Sequence, residues 1–152
     1  MSLPSAFASF CTAMLSIGNA ALAVADADAM TEASELLSQA AEPYPSIRIH
    51  RMDEDLGLFE SCLVQISLRV PDSLDEWTHM QMQKAITDGL NFKPGRQSPG
   101  RSYLPLFNYE TSNNPSTPSG TLRLEIVGSK LWKSGRDGTD IKLYTCNLNI
   151  YF

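Results

Sequence analysis

The sequence predicts an α+β protein: an antiparallel or mixed four-stranded sheet with helices packed on one face. Three observations predict it. Residues 46–50, 60–70, 121–126 and 144–152 alternate apolar and polar, the period of a half-buried strand. Residues 5–25 and 73–90 repeat their apolar residues at steps of three and four, the period of an amphipathic helix. Between these runs stand turn formers such as Pro71-Asp72-Ser73 and Ser134-Gly135-Arg136-Asp137-Gly138. The element order is helix, helix, strand, strand, helix, long loop, strand, strand. At 152 residues the chain is expected to be one domain, 1–152, with a helical part over 1–43.

Phe7, Phe10, Met14, Ile17, Ala21 and Val24 form the stripe of the first helix, expected over Ser5–Ala25 and set against the sheet. Gly18 and Asn19 weaken it locally. Asp26 or Asp28 is the expected cap of a shorter helix carrying Met30, Ala33, Leu36 and Leu37. Glu42-Pro43-Tyr44-Pro45 ends that helix, because proline restricts the residue before it and cannot continue a helix.

Ser46 to His50 is the first strand. Glu60 to Val70 is the second, with Cys62, Val64, Ile66, Leu68 and Val70 on one face. The link Asp53-Glu54-Asp55 reads as a solvated acidic turn and not as a metal site. In the third helix, Ser73 or Asp72 is the expected N-cap, Ser73 with Glu76 spells a capping box, and Leu74, Trp77, Met82, Ala85 and Ile86 form the expected core arc. Trp77 is expected in the core.

Residues 91–120 hold five prolines among Gly, Ser and Asn, and are expected to be a long flexible loop that orders on assembly. Lys93, Arg96 and Arg101 flank an aromatic cluster of Tyr103, Phe107 and Tyr109 within it. These six residues are the candidate oligomer or partner interface, since such aromatics call for burial. The third strand is expected from Thr121 to Trp132 with a kink at Gly128, hairpinned to the fourth, in which Tyr144, Cys146, Leu148, Ile150 and Phe152 alternate.

The charge of −5 lies wholly in residues 1–47, which carry Asp26, Asp28, Glu32, Glu35 and Glu42 and no Lys or Arg. A pI near 4.9 argues against free nucleic acid as the main partner. Three dispersed cysteines without a C-x-x-C spacing read as reduced, buried small hydrophobes. The N-terminus has no positive n-region of a secretory signal, and no continuous apolar run long enough for a membrane span is expected.

Catalytic signals are weak. Gly95-Arg96-Gln97-Ser98-Pro99-Gly100-Arg101-Ser102 imitates a phosphate loop, with Arg where Lys belongs and with no room for the helix that must follow. His50 and His79 are expected on polar faces without placed partners. The chain is therefore not expected to be an enzyme.

From Tyr44 onward the chain resembles the phage tail terminator family, the minor tail protein U type of long-tailed phages. The resemblance rests on Tyr44-Pro45-Ser46-Ile47-Arg48-Ile49, on the strand from Glu60 to Val70, on Pro71-Asp72-Ser73-Leu74-Asp75-Glu76-Trp77, and on Arg136-Asp137-Gly138 with the closing strand. Together these cover most of 44–92 and 121–152. The resemblance implies a structural phage or prophage protein made in the bacterial host cytoplasm and located in the virion tail. It implies a homo-oligomeric ring, a hexamer of about six copies. That ring caps the tail tube protein, stops its polymerisation and meets the head–tail connector protein. No cofactor, specific nucleic acid or membrane is implied. The alternative is a small cytoplasmic α+β enzyme or ligand-binding domain with its site at the 91–120 loop.

Overall fold

The computed structural model describes residues 3–37, 44–52, 61–92 and 100–152. Among these, three helices and six strands follow in the order α1 (Leu3–Val24), α2 (Ala33–Leu36), β1 (Ser46–Arg51), β2 (Ser61–Pro71), α3 (Glu76–Gly89), β3 (Arg101–Leu106), β4 (Gly120–Ile126), β5 (Lys133–Arg136) and β6 (Ile141–Tyr151). The α+β class holds. The four-strand count is corrected to six, in one antiparallel sheet of order β1-β2-β6-β4-β3 with β5 also paired to β6.

Alternation determines which side of this sheet is covered. Register sets Ile49 opposite Ile66, Ile66 opposite Cys146, Val64 opposite Leu148, and Ile150 opposite Leu124. Ser102, Leu104 and Leu106 of β3 continue the same face against Leu124, Leu122 and Gly120. Every one of these apolar side chains is buried. Because the side-chain period of a strand is two, a one-residue slip would expose the whole set, so the register is strongly specified.

Helices α1 and α3 cover that face. Helix α1 buries Ala6, Phe10, Met14, Ala21 and Leu22. Its N-terminal half is tied to the segment after β3, and its Gly18 leaves room for Ile47 of β1, so it crosses the sheet from one edge to the other. The stripe shifts from the expected one: Phe7 and Ile17 are half-buried and Val24 is exposed, while Ser5 and Ser9 are buried through hydrogen bonds. At 22 residues α1 is long and apolar enough to cross a membrane by length and composition, against expectation; in this fold it packs on the sheet. Helix α2 has four residues and follows Glu32, so neither Asp26 nor Asp28 caps it. Leu36 is buried and Leu37 exposed.

Helix α3 is capped by Asp75, whose Oδ1 accepts from Thr78 N at 2.8 Å. This replaces the expected Ser73 or Asp72 cap and the Ser73 capping box. At 3.6 residues per turn Trp77 lies on the side of α3 opposite Ile86, whereas His79 is nearly in phase with it, so His79, Met82 and Ile86 face the core and Trp77 is 67% exposed. The core assignment of Trp77 is thereby overturned. The surface assignment of His79 is overturned too. It is 1% exposed, with Nδ1 2.9 Å from Tyr144 Oη and Nε2 3.1 Å from Pro71 O. A carbonyl only accepts, so Nε2 carries the proton and the Tyr144 hydroxyl donates to Nδ1.

The expected third strand is two strands. Gly120–Ile126 pairs with the end of β6, and Lys133–Arg136 pairs with its start. Between them, residues 127–132 oppose only Asn147 and Cys146, so the arm bulges out at Gly128, where φ is +90°. The hairpin reading holds with this break in one arm. Cys11, Cys62 and Cys146 are buried and in no disulfide, as expected, and burial pushes the Cys11 and Cys146 thiols up to about 12.

Candidate interaction surface

Among the described residues helices lie on one side only, and the other side of the sheet carries the alternate residue of every strand, with Ser46, Arg48 and Ser67 buried on it. Its residues are mostly polar, with Leu63, Leu143 and Ile141 among them. Gln65 and Asn147 pair across β2 and β6 at 3.1 Å. At the β3 edge, register sets Arg101 beside Glu125 and Tyr103 beside Arg123, and Arg123 beside Tyr151. Arg101 Nη2 lies 2.7 Å from Glu125 Oε1, which also lies 3.5 Å from Arg123 Nε. The Arg123 guanidinium covers the Tyr151 ring at 4.5 Å. Both arginine side chains stay about two-fifths exposed, at 41% and 42%. Two guanidiniums thus share one carboxylate between two tyrosines. Exposed ion pairs of this kind add about 0–1 kcal/mol each.

Toward β1 the same face carries Arg48, His50 and Arg69. Burial, with Arg69 close by, lowers the Arg48 pKa despite Glu35. Burial and the two arginines likewise lower the His50 pKa.

The six expected interface residues do not converge. Arg101 and Tyr103 lie on that face, Tyr103 at 49% exposure. Phe107 and Tyr109 turn instead to α1: Phe107 N donates to Ser9 Oγ at 2.9 Å and Tyr109 N to Ser5 Oγ at 3.0 Å. Thr12 Oγ1 and Tyr109 Oη share a hydrogen bond of 3.0 Å. Lys93 and Arg96 lie outside the described residues, as does the Asp53-Glu54-Asp55 link. The expected loop is corrected where β3 runs. Leu104 and Leu106 alternate into the core, and Pro105 sits on an outermost strand, where its missing N–H costs little. Arg101-Ser102 opens this strand and not a helix, so the phosphate-loop imitation lacks its anion-binding helix.

Arg123, Glu125 and Tyr151 escaped sequence reasoning, although each alternates with a core residue already assigned to a strand. A second feature was equally hidden. Where β2 leaves for α3, Arg69 Nε binds Asp137 Oδ2 at 2.8 Å and Arg136 Nη1 binds Asp72 Oδ2 at 2.8 Å. Asp72 N donates to Asp140 O, and Lys142 pairs with Glu76. These pairs latch the β5–β6 turn to the start of α3. Just outside the latch, Trp77 and Met80 project from α3 at 67% and 57% exposure.

These features define an α+β domain with one helix-covered sheet face, one arginine- and tyrosine-bearing face, and an exposed aromatic corner. No protein-family model, no curated protein and no solved structure matches the chain.

Proposed function

We propose that this chain is a structural phage or prophage tail protein that closes the tail tube as an oligomeric ring, ending tube polymerisation and offering the surface that joins the head. The observation that carries the reading is the order and setting of the segments that resemble tail terminators. Tyr44-Pro45 stands at the mouth of β1. The Pro71–Trp77 segment and the Arg136-Asp137-Gly138 turn, 59 or more residues apart in sequence, meet at one corner through the Arg136–Asp72 pair. Segments that resemble a family and are also neighbours in space describe one structural unit better than scattered matches do.

Capping is a matter of surfaces. One ring face copies the docking surface of a tube ring, and the opposite face does not, so addition stops. The helix-covered side of this sheet and the opposite side differ in shape and charge, which suits such a two-faced ring. No catalytic residue, cofactor, nucleic acid or membrane enters this mechanism. Synthesis in the host cytoplasm and residence in the virion tail belong to the same proposal.

Light scattering across a range of concentrations, with electron microscopy of tail ends, tests it. A closed ring of about six chains seated at tube ends is the expected result. A monomer at every concentration, absent from tube ends, would refute it.

A further inference from the structure

We infer that residues 133–140, which are β5 and the turn after it, form a strap held down by two ion pairs and lifted by salt while the rest of the fold stays closed. All of these residues are exposed. Among the described residues, β6 is the one strand that β5 pairs with. Gly135 in its middle has no side chain to pack, and Gly138 in the turn holds φ at +89° with nothing within 4 Å of where a Cβ would stand. The anchor lies just before the strap. Leu131 and Trp132 pack on the core, and Trp132 Nε1 donates to Thr87 Oγ1 at 2.9 Å. A segment that buries no side chain of its own belongs to the low-stability end of a fold.

Charge supplies what packing does not. Arg136 Nη1 lies 2.8 Å from Asp72 Oδ2, and Asp137 Oδ2 lies 2.8 Å from Arg69 Nε. Both pairs tie the strap to the end of β2, and they differ in kind. Arg136 and Asp72 are exposed, so salt screens their attraction. The Arg69 side chain is only 17% exposed, and its Nη1 is buried without a partner. Lifting the strap withdraws the Asp137 carboxylate from a guanidinium that is largely out of water, which costs more than parting an exposed pair. Asp137 therefore fixes where the strap rests, and Arg136 makes its hold depend on ionic strength.

Lifting the strap has a definite consequence. It frees the β6 edge from Lys142 to Thr145, which β5 covers when closed. It also removes Ser134 and Arg136 from the lining of a hollow of about 400 Å³, whose other walls are Glu76, Lys142 and Tyr144. An uncovered strand edge is a template for pairing with another chain. The closed strap guards that edge, and β5 is itself a poor template, being four residues long with Lys133 and Arg136 at its ends.

Hydrogen exchange of the full chain, read by mass spectrometry, tests this. From about 0.01 M to about 1 M sodium chloride the Debye length shrinks from roughly 30 Å to roughly 3 Å. Exchange of the 133–140 amides, taken relative to those of β2, is expected to rise about three- to tenfold over that range, the size expected of exposed ion pairs. Arg136→Gln is expected to exchange in low salt at the rate the wild type reaches only in high salt, with little further response and an unchanged melting midpoint. Asp137→Asn keeps an oxygen for Arg69 but not the charge, and is expected to speed strap exchange at both salt concentrations. A wild-type strap whose exchange ignores salt, or a rise shared equally by β2 and β4, overturns the device. So does Arg136→Gln exchanging like the wild type in low salt. The wild-type salt series stands alone should either variant fail to fold.

Discussion

Replacing His79 by Leu is expected to destabilise the fold through a single orphaned hydroxyl. His79 bridges Tyr144 Oη at 2.9 Å and Pro71 O at 3.1 Å from a site that is 1% exposed. The two partners do not suffer equally. Pro71 O also accepts from Leu74 N at 3.2 Å, so it keeps a donor when the imidazole is gone. Tyr144 Oη loses the acceptor at 2.9 Å, and its residue is only 7% exposed. An unsatisfied buried polar group costs about 1–3 kcal/mol, which is the expected loss for His79→Leu. Tyr144→Phe leaves Nδ1 of His79 without its donor and is expected to cost a similar amount, about 1–3 kcal/mol. The double variant removes both polar groups and leaves Pro71 O with Leu74. It is therefore expected to cost less than the sum of the singles by about 0.5–3 kcal/mol. Urea unfolding followed by circular dichroism, on all four proteins under identical conditions, measures this cycle. Strict additivity, or a neutral His79→Leu, would refute the buried-bridge account.

Three further outcomes follow from particular contacts. Trp77→Ala is expected to change stability by no more than about 0.5 kcal/mol in urea unfolding, as for other exposed positions; a loss of several kcal/mol would return Trp77 to the core. Gly100→Ala is expected to destabilise the β3–β4 edge, because φ is +83° there and an added Cβ would lie 2.8 Å from Ile126 Cγ1. The cost is about 1–3 kcal/mol by the usual measure of overpacking, and an unchanged melting temperature would contradict it. Hydrogen bonds from Thr78 hold the Asp75 carboxyl below its ordinary value. A depressed folded value adds stability above the unfolded aspartate value of about 3.9, and that stability is lost as pH falls through the lower folded value. Asp75→Asn is thus expected to flatten the acid limb of the melting-temperature profile, and an unaltered limb would count against the cap.

Strand faces were legible in the sequence because alternation and burial are the same fact seen twice. Cys62, Val64, Ile66, Leu68 and Val70 are all buried, as are Tyr144, Cys146, Leu148 and Ile150. Strand β3 was missed because Pro105 and the surrounding Pro, Gly and Ser outweighed a short alternation of Ser102, Leu104 and Leu106. Only pairing with β4 makes that alternation matter. The helix arc failed at Trp77 for a related reason. Trp77 is apolar and close in sequence to the core residues, but the helical spacing sets it opposite Ile86 and gives His79 the inward position. Of the candidate site, Arg101 and Tyr103 were visible as a basic–aromatic neighbourhood. Arg123, Glu125 and Tyr151 were not, since their proximity depends on register between strands far apart in the chain.

The central claim is that a ring of this chain ends tube growth. On the proposed reading, tail-tube protein polymerised with increasing amounts of this chain gives a distribution of tube lengths by electron microscopy. The account predicts that mean length falls as the ratio rises, with a ring on one end of each stopped tube and no further growth when fresh tube protein is added. Tubes that keep the same lengths and continue to grow would contradict it.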